Sequence, residues 1–316
     1  MSWFRVIWEG IRRGVLAWAR LMLVIVPVYT GMALLKYVGI LPRIADLCRP
    51  AMKYFGLPGD TALALVLGNF LNLYSAMGVI ASLKLTPGQM TILSLMLLIS
   101  HSQILESSVF FQIRTKYQVL WAIRLVTALL AGWGLHFLIA PGKSGTVPAC
   151  GLSPDFPVPK TQSLAQAASD YGLGLLGLAW KMLAILAAIF LVLEIVKRLS
   201  LLERSLKALN RFTRFMGYSE RAGLPWLAGV IFGIVFGAGV ITGSVREQQL
   251  EPKQVLLVSV FLALCHGVIE DTGLMLVLGA NLFWITVPRV LLAVPVTWFV
   301  NRLYQPKPAI AGLKPE

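Results

Sequence analysis

Residues 85–107 read LTPGQMTILSLMLLISHSQILES, and residues 250–272 read LEPKQVLLVSVFLALCHGVIEDT. The two stretches are copies of each other at an offset of 165 (266 − 101), which places His101 opposite His266. Each histidine lies in a long apolar segment, where an ionisable side chain is costly and by default indicates a functional site. This duplicated pair of membrane-like segments is the feature from which the fold follows.

The same offset holds without a gap across a long part of both halves. Matches between apolar residues arise easily by chance in such a chain, but matches of His, Pro, Gln, Arg and Trp in one register do not. The matched pairs are Gly68 and Gly233, Gly78 and Gly243, Leu85 and Leu250, Pro87 and Pro252, Gln89 and Gln254, Ser94 and Ser259, Ile104 and Ile269, Arg124 and Arg289, and Trp133 and Trp298. Near-matches place Glu106 opposite Asp271 and Ser107 opposite Thr272. The chain is therefore an internal duplication, and duplicated halves with broken apolar segments are typical of many transporters.

The composition points to the membrane. Hydrophobic residues make up 57% of the 316 residues and charged residues 13%, whereas an ordinary soluble domain carries roughly 25% charged residues. Several apolar stretches approach the roughly 20 residues that a helix needs to cross a bilayer. They run near 14–37, 60–83, 88–112, 117–140, 170–196, 224–247, 253–278 and 283–303. We therefore expect an all-α, polytopic membrane protein.

The net charge of +14 does not indicate a nucleic-acid partner, because the basic residues lie in short clusters beside apolar spans, as the positive-inside rule describes. The strongest cluster is interleaved with leucines and predicts a basic amphipathic helix on an anionic leaflet. Its basic residues are Lys197, Arg198, Arg204, Lys207, Arg211, Arg214 and Arg221. The three cysteines are scattered and form no CxxC pair, so neither a disulfide framework nor a thiolate metal site is implied.

Charge and symmetry together predict the topology. If the N-terminal arginines and the basic cluster are cytoplasmic and residues 141–165 are external, one apolar segment of the first half must enter and leave on the same face. The best candidate is 60–83, with 224–247 as its counterpart, because glycine-rich or polar backbone at membrane depth survives only inside protein or beside a water-filled cavity. The re-entrant backbone is expected at Gly68, Asn69, Asn72 and Gly78, and at Gly233, Gly237, Gly239 and Gly243.

With one re-entrant segment, each half crosses the membrane three times, and an odd count makes the two halves inverted repeats. The alternative is four crossings per half and parallel repeats. In the inverted scheme, residues 42–57 mirror 198–222 as a surface helix. The predicted organisation is a first repeat at 1–140, an external polar linker at 141–165, a second repeat at 166–305 and a C-terminal tail at 306–316.

Ionisable and polar side chains collect in and beside the duplicated stretches. On a continuous helix His266 and Glu270 would share one face, whereas Asp271 would point elsewhere unless a glycine interrupts the helix. Because histidine changes charge near physiological pH, we expect a site for a substrate or a coupling proton near the duplication axis. The candidate residues are His101, Gln103, Glu106, His266, Glu270, Asp271, Thr272 and Asn281.

A structural role is the alternative for two of the acids. Glu106 would pair with Arg124 and Asp271 with Arg289, since paired charges are the usual fate of ions inside a membrane; both roles can hold at once. His266 and the adjacent acids could also bind a metal, whose identity the sequence leaves unknown. No cofactor is expected, and without HExxH, GxSxG or a visible nucleophile–base pair the chain is not expected to be an enzyme.

The glycine-rich segment 232–241 and the stretch His266–Asn281 resemble the nucleoside-recognition, or Gate, family of bacterial membrane proteins. The second stretch carries Ile-Glu-Asp-Thr directly after Cys-His-x-x, and then Gly-Ala-Asn. The resemblance covers both halves, and the second half is the more similar. The family includes spore maturation proteins A and B and the membrane part of the ferrous iron transporter. The resemblance implies a protein of the bacterial cytoplasmic membrane that transports through paired, pseudo-symmetric gates, and it does not fix the substrate.

Three functions follow from these features. The main hypothesis is a secondary transporter that moves a small polar solute, such as a nucleoside-like compound, through a site between the repeats, with pH-responsive flux. The first alternative is a divalent-metal permease, similar to the ferrous iron transporter, that uses His266, Glu270 and Asp271. The second is a lipid-handling or scaffold protein without solute flux. The expected partners are the bilayer and a small solute or ion; a homo-oligomer stays open.

Overall fold

The computed structural model describes residues 3–139, 164–199 and 211–304, together with Val147–Pro148 and Leu209. Within these residues the chain is helical apart from one two-stranded ribbon. Five helical segments are long and apolar enough to cross a membrane, namely Trp3–Leu35, Pro87–Gln112, Tyr117–Leu138, Tyr171–Val192 and Leu282–Leu303. The predicted all-α, polytopic class is confirmed.

Six of the seven helices described in the first half recur in the same order in the second half, and the counterpart of the remaining one, α2 (Ile40–Met52), would fall largely on residues outside the described ones. The first half has α1 (Trp3–Tyr37), α2 (Ile40–Met52), α3 (Thr61–Phe70), α4 (Leu73–Ile80), α5 (Pro87–Ser100), α6 (Gln103–Gln112) and α7 (Tyr117–Leu138). The second half has α8 (Leu164–Arg198), α9 (Gly223–Phe236), α10 (Ala238–Glu247), α11 (Pro252–Leu264), α12 (Glu270–Val277) and α13 (Leu282–Leu303). Adding 165 to both ends of α7 gives both ends of α13, so the sequence duplication is also a structural one.

The first helices of the two repeats, α1 and α8, pack against each other along most of their length and run in opposite directions. Contacts made by later residues of α1 fall on earlier residues of α8. Near the start of α1, Arg13 Nη1 lies 2.6 Å from Glu194 Oε1, and Gly14 packs on the backbone of Ala187. Further along, Trp18 Nε1 donates to the Ala179 carbonyl at 2.8 Å, and the hydroxyls of Thr30 and Tyr171 are 2.5 Å apart. Equivalent membrane-crossing helices that are antiparallel define inverted repeats, as predicted.

The re-entrant segment is a helical hairpin in each half. Helices α3 and α4 contain 10 and 8 residues, so at 1.5 Å per residue they reach only about 15 and 12 Å, no more than half of a hydrocarbon core roughly 30 Å thick. A Cβ built on Gly68 would lie 3.0 Å from the Cβ of Ala76, because the chain folds back between the two helices. In the second half a Cβ on Gly237 would lie 3.3 Å from the Ala228 carbonyl, because the chain folds back at Gly233 (φ 78°), inside the segment labelled α9.

The apolar stretches 88–112 and 253–278 are each interrupted, and the sequence allowed for such an interruption only in the second stretch, at a glycine. Ser102 (φ 52°) and Gly267 (φ 55°) adopt left-handed backbone that ends the helical ladder. The freed N–H groups donate to the re-entrant hairpins: Ser102 to the Gly68 carbonyl at 2.7 Å and Gly267 to the Gly229 carbonyl at 3.1 Å. Protein carbonyls thus satisfy broken backbone inside the membrane region.

The half-helices α5 and α11 form the centre of the molecule and are buried almost throughout. The small ribbon pairs Lys84 with Pro148 in antiparallel register and so holds the turn before α5 against the linker. Both segments were predicted to be external. The rest of the predicted linker up to residue 163, the basic residues Arg204 and Lys207 of the cluster, and the tail 306–316 lie outside the described residues.

Candidate functional site between the two repeats

The two helix breaks meet at the centre of the molecule. His101 caps the C-terminal end of α5, and His266 follows the C-terminal end of α11 by two residues. Their imidazole rings are 5.0 Å apart between centroids and both are buried. The duplicated histidines, which are 165 positions apart in the chain (266 − 101), are therefore neighbours across the interface of the repeats.

Two carboxylates complete a compact group of four side chains, called here the His/carboxylate cluster: His101, Glu106, His266 and Asp271. Glu106 Oε1 lies 3.3 Å from His101 Nε2 and 3.2 Å from His266 Nε2. Asp271 Oδ2 lies 3.6 Å from His101 Nε2 and 3.9 Å from His266 Nε2. Both acids lie in the first turns of α6 and α12, where the helix dipole favours negative charge.

Backbone carbonyls orient both imidazoles in the same way. His101 Nδ1 lies 2.9 Å from the Leu97 carbonyl, and His266 Nδ1 lies 2.7 Å from the Leu262 carbonyl, each four residues earlier. A carbonyl oxygen can only accept, so each Nδ1 carries the hydrogen and donates it. In the neutral ring, each Nε2 then presents a lone pair toward the carboxylates.

Two buried arginines hold the broken ends of the helices. Arg124 donates to the Ile99 carbonyl at 2.9 Å and to the His101 carbonyl at 2.7 Å, and its Nη1 pairs with Glu106 at 2.6 Å. In the second half, Arg289 donates to the His266 carbonyl and, at 3.3 Å, to the Thr272 hydroxyl. Each arginine therefore fixes the carbonyl of the histidine in its own repeat.

The alternative pairing expected for the acids is found in one half and differs in the other. Glu106 pairs with Arg124 while it also contacts both histidines, so a structural and a site role coincide in this residue. Among the described residues Asp271 forms no ion pair with Arg289, because the guanidinium is engaged by Thr272 and by the His266 carbonyl. Asp271 is directed instead to the histidines.

Glu270 points away from the cluster and meets the first repeat. The predicted shared face of His266 and Glu270 does not exist, because His266 lies in the break before α12 and Glu270 is the first residue of that helix. The Tyr74 hydroxyl donates to Glu270 Oε1 at 3.0 Å. Asp271 is brought to the histidines by the interruption at Gly267, where an added Cβ would collide with the Asp271 carboxylate.

The remaining candidate side chains lie around the cluster or apart from it. Gln103 is buried at the start of α6, and its amide has no hydrogen-bond partner among the described residues. It lines an apolar cavity of about 560 Å³ between α6 and α7. Asn281 is exposed and caps α13 by accepting from the Trp284 N–H at 3.3 Å. Its backbone N–H donates to Thr91 Oγ1 at 3.0 Å, so Asn281 joins the two repeats away from the cluster.

The residues expected to form re-entrant backbone take different positions. Four of them lie at or beside the points where the chain folds back, namely Gly68, Asn72, Gly233 and Gly237. Asn72 caps α4, and Gly233 has a φ of 78°. Asn69 donates its side chain to the Leu65 carbonyl within α3. Gly78 lies inside α4, where it packs against Val28 of α1, and Gly239 and Gly243 lie within α10.

A cavity of about 120 Å³ opens beside the cluster. Both repeats contribute to its lining, through Asn72, Tyr74, Glu106, Phe232, His266 and Asp271 among others. Asn72 and Tyr74 come from the turn of one hairpin, and Phe232 comes from the other. The cavity therefore lies where the four broken segments converge.

The two repeats leave unequal space at equivalent interfaces. A larger cavity of about 730 Å³ separates the loop Ile113–Lys116 from the α10–α11 region of the second repeat, and Leu256 lies on its wall. The duplication places Asn281 opposite Lys116 (116 + 165) and Thr91 opposite Leu256 (256 − 165). At this equivalent interface the backbone N–H of Asn281 donates to the Thr91 hydroxyl. Lys116 and Leu256 thus face each other across a cavity, whereas the equivalent residues Asn281 and Thr91 are in direct contact.

Sequence reasoning did not single out Tyr74, Ser102 or Thr91 as site residues. Tyr74 lies in the polar middle of the re-entrant segment, and that position is the signal that could have identified it. Ser102 stands opposite Gly267 in the duplication, and a glycine aligned with a left-handed residue could have indicated the break. Thr91 carries no such signal, because it reads as one residue of a buried helix.

This architecture defines a class of polytopic membrane proteins with inverted repeats, paired re-entrant hairpins and a polar centre between the halves. Residues 18–115 match the family model described as Gate, nucleoside recognition. The chain is also 30% identical over 294 residues to YvoD of Bacillus subtilis (strain 168), which is described as an uncharacterized membrane protein, covering 92% of each chain. The chain therefore belongs to the nucleoside-recognition (Gate) family. The matched residues lie in the first half, although we expected the second half to be the more similar to the family. No solved structure matches the chain.

Proposed function

We propose that this protein is a secondary transporter that moves a small cation through the His/carboxylate cluster between its two repeats. The observation that carries the proposal is the position of the cluster: two imidazoles and two carboxylates from both repeats meet, buried, at the centre of an apolar helical protein. Ionisable groups inside a membrane protein are expensive and mark ion or substrate pathways. In many transporters, broken helices surround sites at the interface of inverted repeats.

The size of the central cavity favours an ion over a nucleoside-like compound. Small-molecule pockets run roughly 300–1,000 Å³, whereas the cavity beside the cluster measures about 120 Å³. A water molecule takes about 30 Å³ of liquid volume, so this space corresponds to an ion with a few waters. The proposal therefore narrows the polar solute inferred from the sequence to a cation.

The unequal interfaces support alternating access rather than a permanently open pore. Inverted repeats place equivalent interfaces on opposite faces of the membrane. The open interface at Lys116 extends to Leu120 and Ile123 on α7, so it approaches within one helical turn of Arg124. The equivalent interface at Asn281 is closed by its bond to Thr91. If the interface at Lys116 closed and the interface at Asn281 opened, the cluster would become accessible from the opposite face of the membrane.

Reconstitution into liposomes tests the proposal. We expect saturable uptake of a divalent cation or of protons, followed by trapped fluorescent indicators, and a loss of at least tenfold in His101→Ala and Glu106→Gln. His136→Ala is the matched control, because it removes the remaining histidine and leaves the cluster intact. Absence of any cation or proton movement in folded, correctly inserted protein would overturn the proposal.

Lipid handling is a second candidate because of the cavity between α6 and α7. This space of about 560 Å³ is lined mainly by apolar groups, and the exposed side chains of Phe111 and Trp121 stand at it. Lipid scrambling in the same liposomes, without cation or proton flux, would support this candidate against the transporter.

A further inference from the structure

One ligand atom each of His101, His266 and Asp271 lies within 4.8 Å of the other two. Glu106 Oε1 faces both Nε2 atoms at 3.3 and 3.2 Å. Because both Nδ1 atoms donate to backbone carbonyls, the electron pairs of two nitrogens and two carboxylates converge on one point. His266 Nε2 is buried and has no hydrogen-bond partner among the described residues. The lone pairs of these nitrogen and oxygen atoms repel one another unless a positive charge lies between them.

We propose that this set binds a divalent first-row transition-metal ion, with His101, His266 and Asp271 as ligands and Glu106 as a fourth. This inference deepens the proposed function by naming the class of cation, and it rests on that function only for the role of the ion as cargo. The proposed ligands differ from the set His266, Glu270 and Asp271 that the sequence suggested. Glu270 accepts a hydrogen bond from Tyr74 instead, and the second histidine, His101, comes from the other repeat.

The spacing of the donors fits such an ion. Nitrogen and oxygen ligands lie roughly 2.0–2.2 Å from a tetrahedral metal, which places neighbouring ligand atoms about 3.3 Å apart. The four nitrogen–oxygen distances in the cluster are 3.2, 3.3, 3.6 and 3.9 Å. The nitrogen–oxygen distances are therefore close to those of a metal site, and ligand atoms separated by up to 4.8 Å would have to move toward a bound ion.

The donor types favour a transition metal over magnesium or calcium. Imidazole suits metals such as zinc, iron, copper and nickel, whereas magnesium and calcium take mainly oxygen ligands. The outer contacts are also those of metal sites, in which the second imidazole nitrogen donates to a carbonyl or carboxylate and fixes the ring. Here Leu97 and Leu262 accept from the rings, and Arg124 holds both the His101 carbonyl and Glu106.

The division of the ligands suits release as well as binding. His101 and Glu106 belong to the first repeat, and His266 and Asp271 belong to the second. Any movement of one repeat against the other changes the number of ligands that can reach the ion. The division of the ligands therefore allows such a movement to change the affinity for the ion.

Metal binding to the purified full chain tests the site. Protein made without a polyhistidine tag would be titrated in detergent with Co²⁺, with visible absorption as the readout, and with Mn²⁺, Zn²⁺ and Mg²⁺ by calorimetry. We expect one transition-metal ion per chain and no competition from a tenfold excess of Mg²⁺. X-ray absorption should show two imidazoles at about 2.0–2.1 Å.

Matched variants make the result specific. His101→Ala and Asp271→Asn should each weaken binding by more than the roughly 10–100-fold that loss of an outer-shell partner costs. His136→Ala should leave affinity unchanged, and Asp271→Asn keeps the shape of the side chain if the histidine variant fails to fold. No binding at saturating Co²⁺, or equal losses in His101→Ala and His136→Ala, would overturn the site. Proton flux without metal binding would leave the proposed transporter standing and remove only the metal, whereas binding without flux would support the site and contradict transport.

Discussion

Glu106 is the residue on which the buried charges converge, since it contacts Arg124 and both histidines. A buried carboxylate is tolerated only while its charge is compensated. Arg124 supplies that compensation and also holds the backbone at the end of α5. Stability and site geometry therefore depend on the same side chain.

Replacement of Arg124 should be severe, and removal of both partners should be milder. Arg124→Ala leaves Glu106 buried and unpaired, so we expect a loss of about 3–5 kcal/mol in the free energy of unfolding. The double variant Arg124→Leu with Glu106→Leu should recover part of that loss, because no isolated charge remains. Unfolding in detergent, followed by circular dichroism, measures both. Equal destabilisation by the single and double variants would show that the charge pair is not the cause.

Tyr74 links the hairpin of the first repeat to the second repeat. Tyr74→Phe removes the hydroxyl that donates to Glu270 at 3.0 Å, and the buried carboxyl oxygen left without that partner costs about 1–3 kcal/mol. We expect lower thermal stability and slower transport in Tyr74→Phe. The exposed Tyr54 provides the control, because Tyr54→Phe should change neither measurement.

Much of the candidate site could be predicted at this scale because duplication makes rare residues conspicuous. His101, His266, Glu106 and Asp271 stand out in apolar stretches, and the structure brings these four together. The contact between Tyr74 and Glu270 could not be predicted, because it joins residues 196 positions apart through a tertiary arrangement that periodicity does not encode.

At the scale of elements, the backbone breaks at Ser102 and Gly267 offer a symmetric test. Ser102 adopts φ 52° and Gly267 adopts φ 55°, and left-handed backbone costs a non-glycine residue roughly 1–2 kcal/mol. Ser102→Gly should therefore raise the melting temperature by a few degrees. Gly267→Ala should lower it more strongly, because the new Cβ would also strike the Asp271 carboxylate.

Gly239→Ala serves as the control for these variants. This glycine lies in α10, and a Cβ placed on it meets nothing within 4 Å. Alanine should therefore be neutral or slightly stabilising there. If Ser102→Gly and Gly267→Ala shift the melting temperature in the same direction, the breaks do not have the backbone geometry described.

The helices themselves could be predicted from apolar runs, but the break between α5 and α6 could not, and the break between α11 and α12 was only permitted by a glycine. Residues 88–112 contain one glycine, Gly88, at the start, so nothing in the apolar pattern interrupts the run before His101. The breaks depend on carbonyls of the re-entrant hairpins that accept the freed N–H groups. That compensation exists only once the tertiary fold has formed.

At the scale of the whole molecule, the inverted arrangement fixes which loops share a face. Lys84 in the ribbon should be external, and Lys116 between α6 and α7 should be cytoplasmic. Single cysteines at these positions, in a chain without Cys48, Cys150 and Cys265, should react with an impermeant maleimide from opposite sides of oriented vesicles. Labelling of both from one side would contradict a single crossing by α5 and α6 and hence the inverted topology.

The closed interface should lock when cross-linked. The Asn281 N–H lies 3.0 Å from Thr91 Oγ1, so cysteines at these two positions should form a disulfide on mild oxidation. We expect oxidation to stop transport and reduction to restore it. The equivalent pair Lys116→Cys and Leu256→Cys faces across the cavity of about 730 Å³ and should require a longer bifunctional reagent. Oxidation that leaves flux unchanged would exclude this interface as a moving gate.

The pairing of α1 with α8 has a consequence for biosynthesis. Between Tyr37 and Leu164 the ribosome must add 126 residues (164 − 37 − 1), which takes roughly 6–25 s at about 5–20 residues per second. During that interval α1 must remain in lipid, or beside the insertion machinery, before α8 is available to pack against it. Separately translated halves, cut within the linker, should therefore be able to assemble into one complex, since the nascent chain already has to join two pieces made at different times.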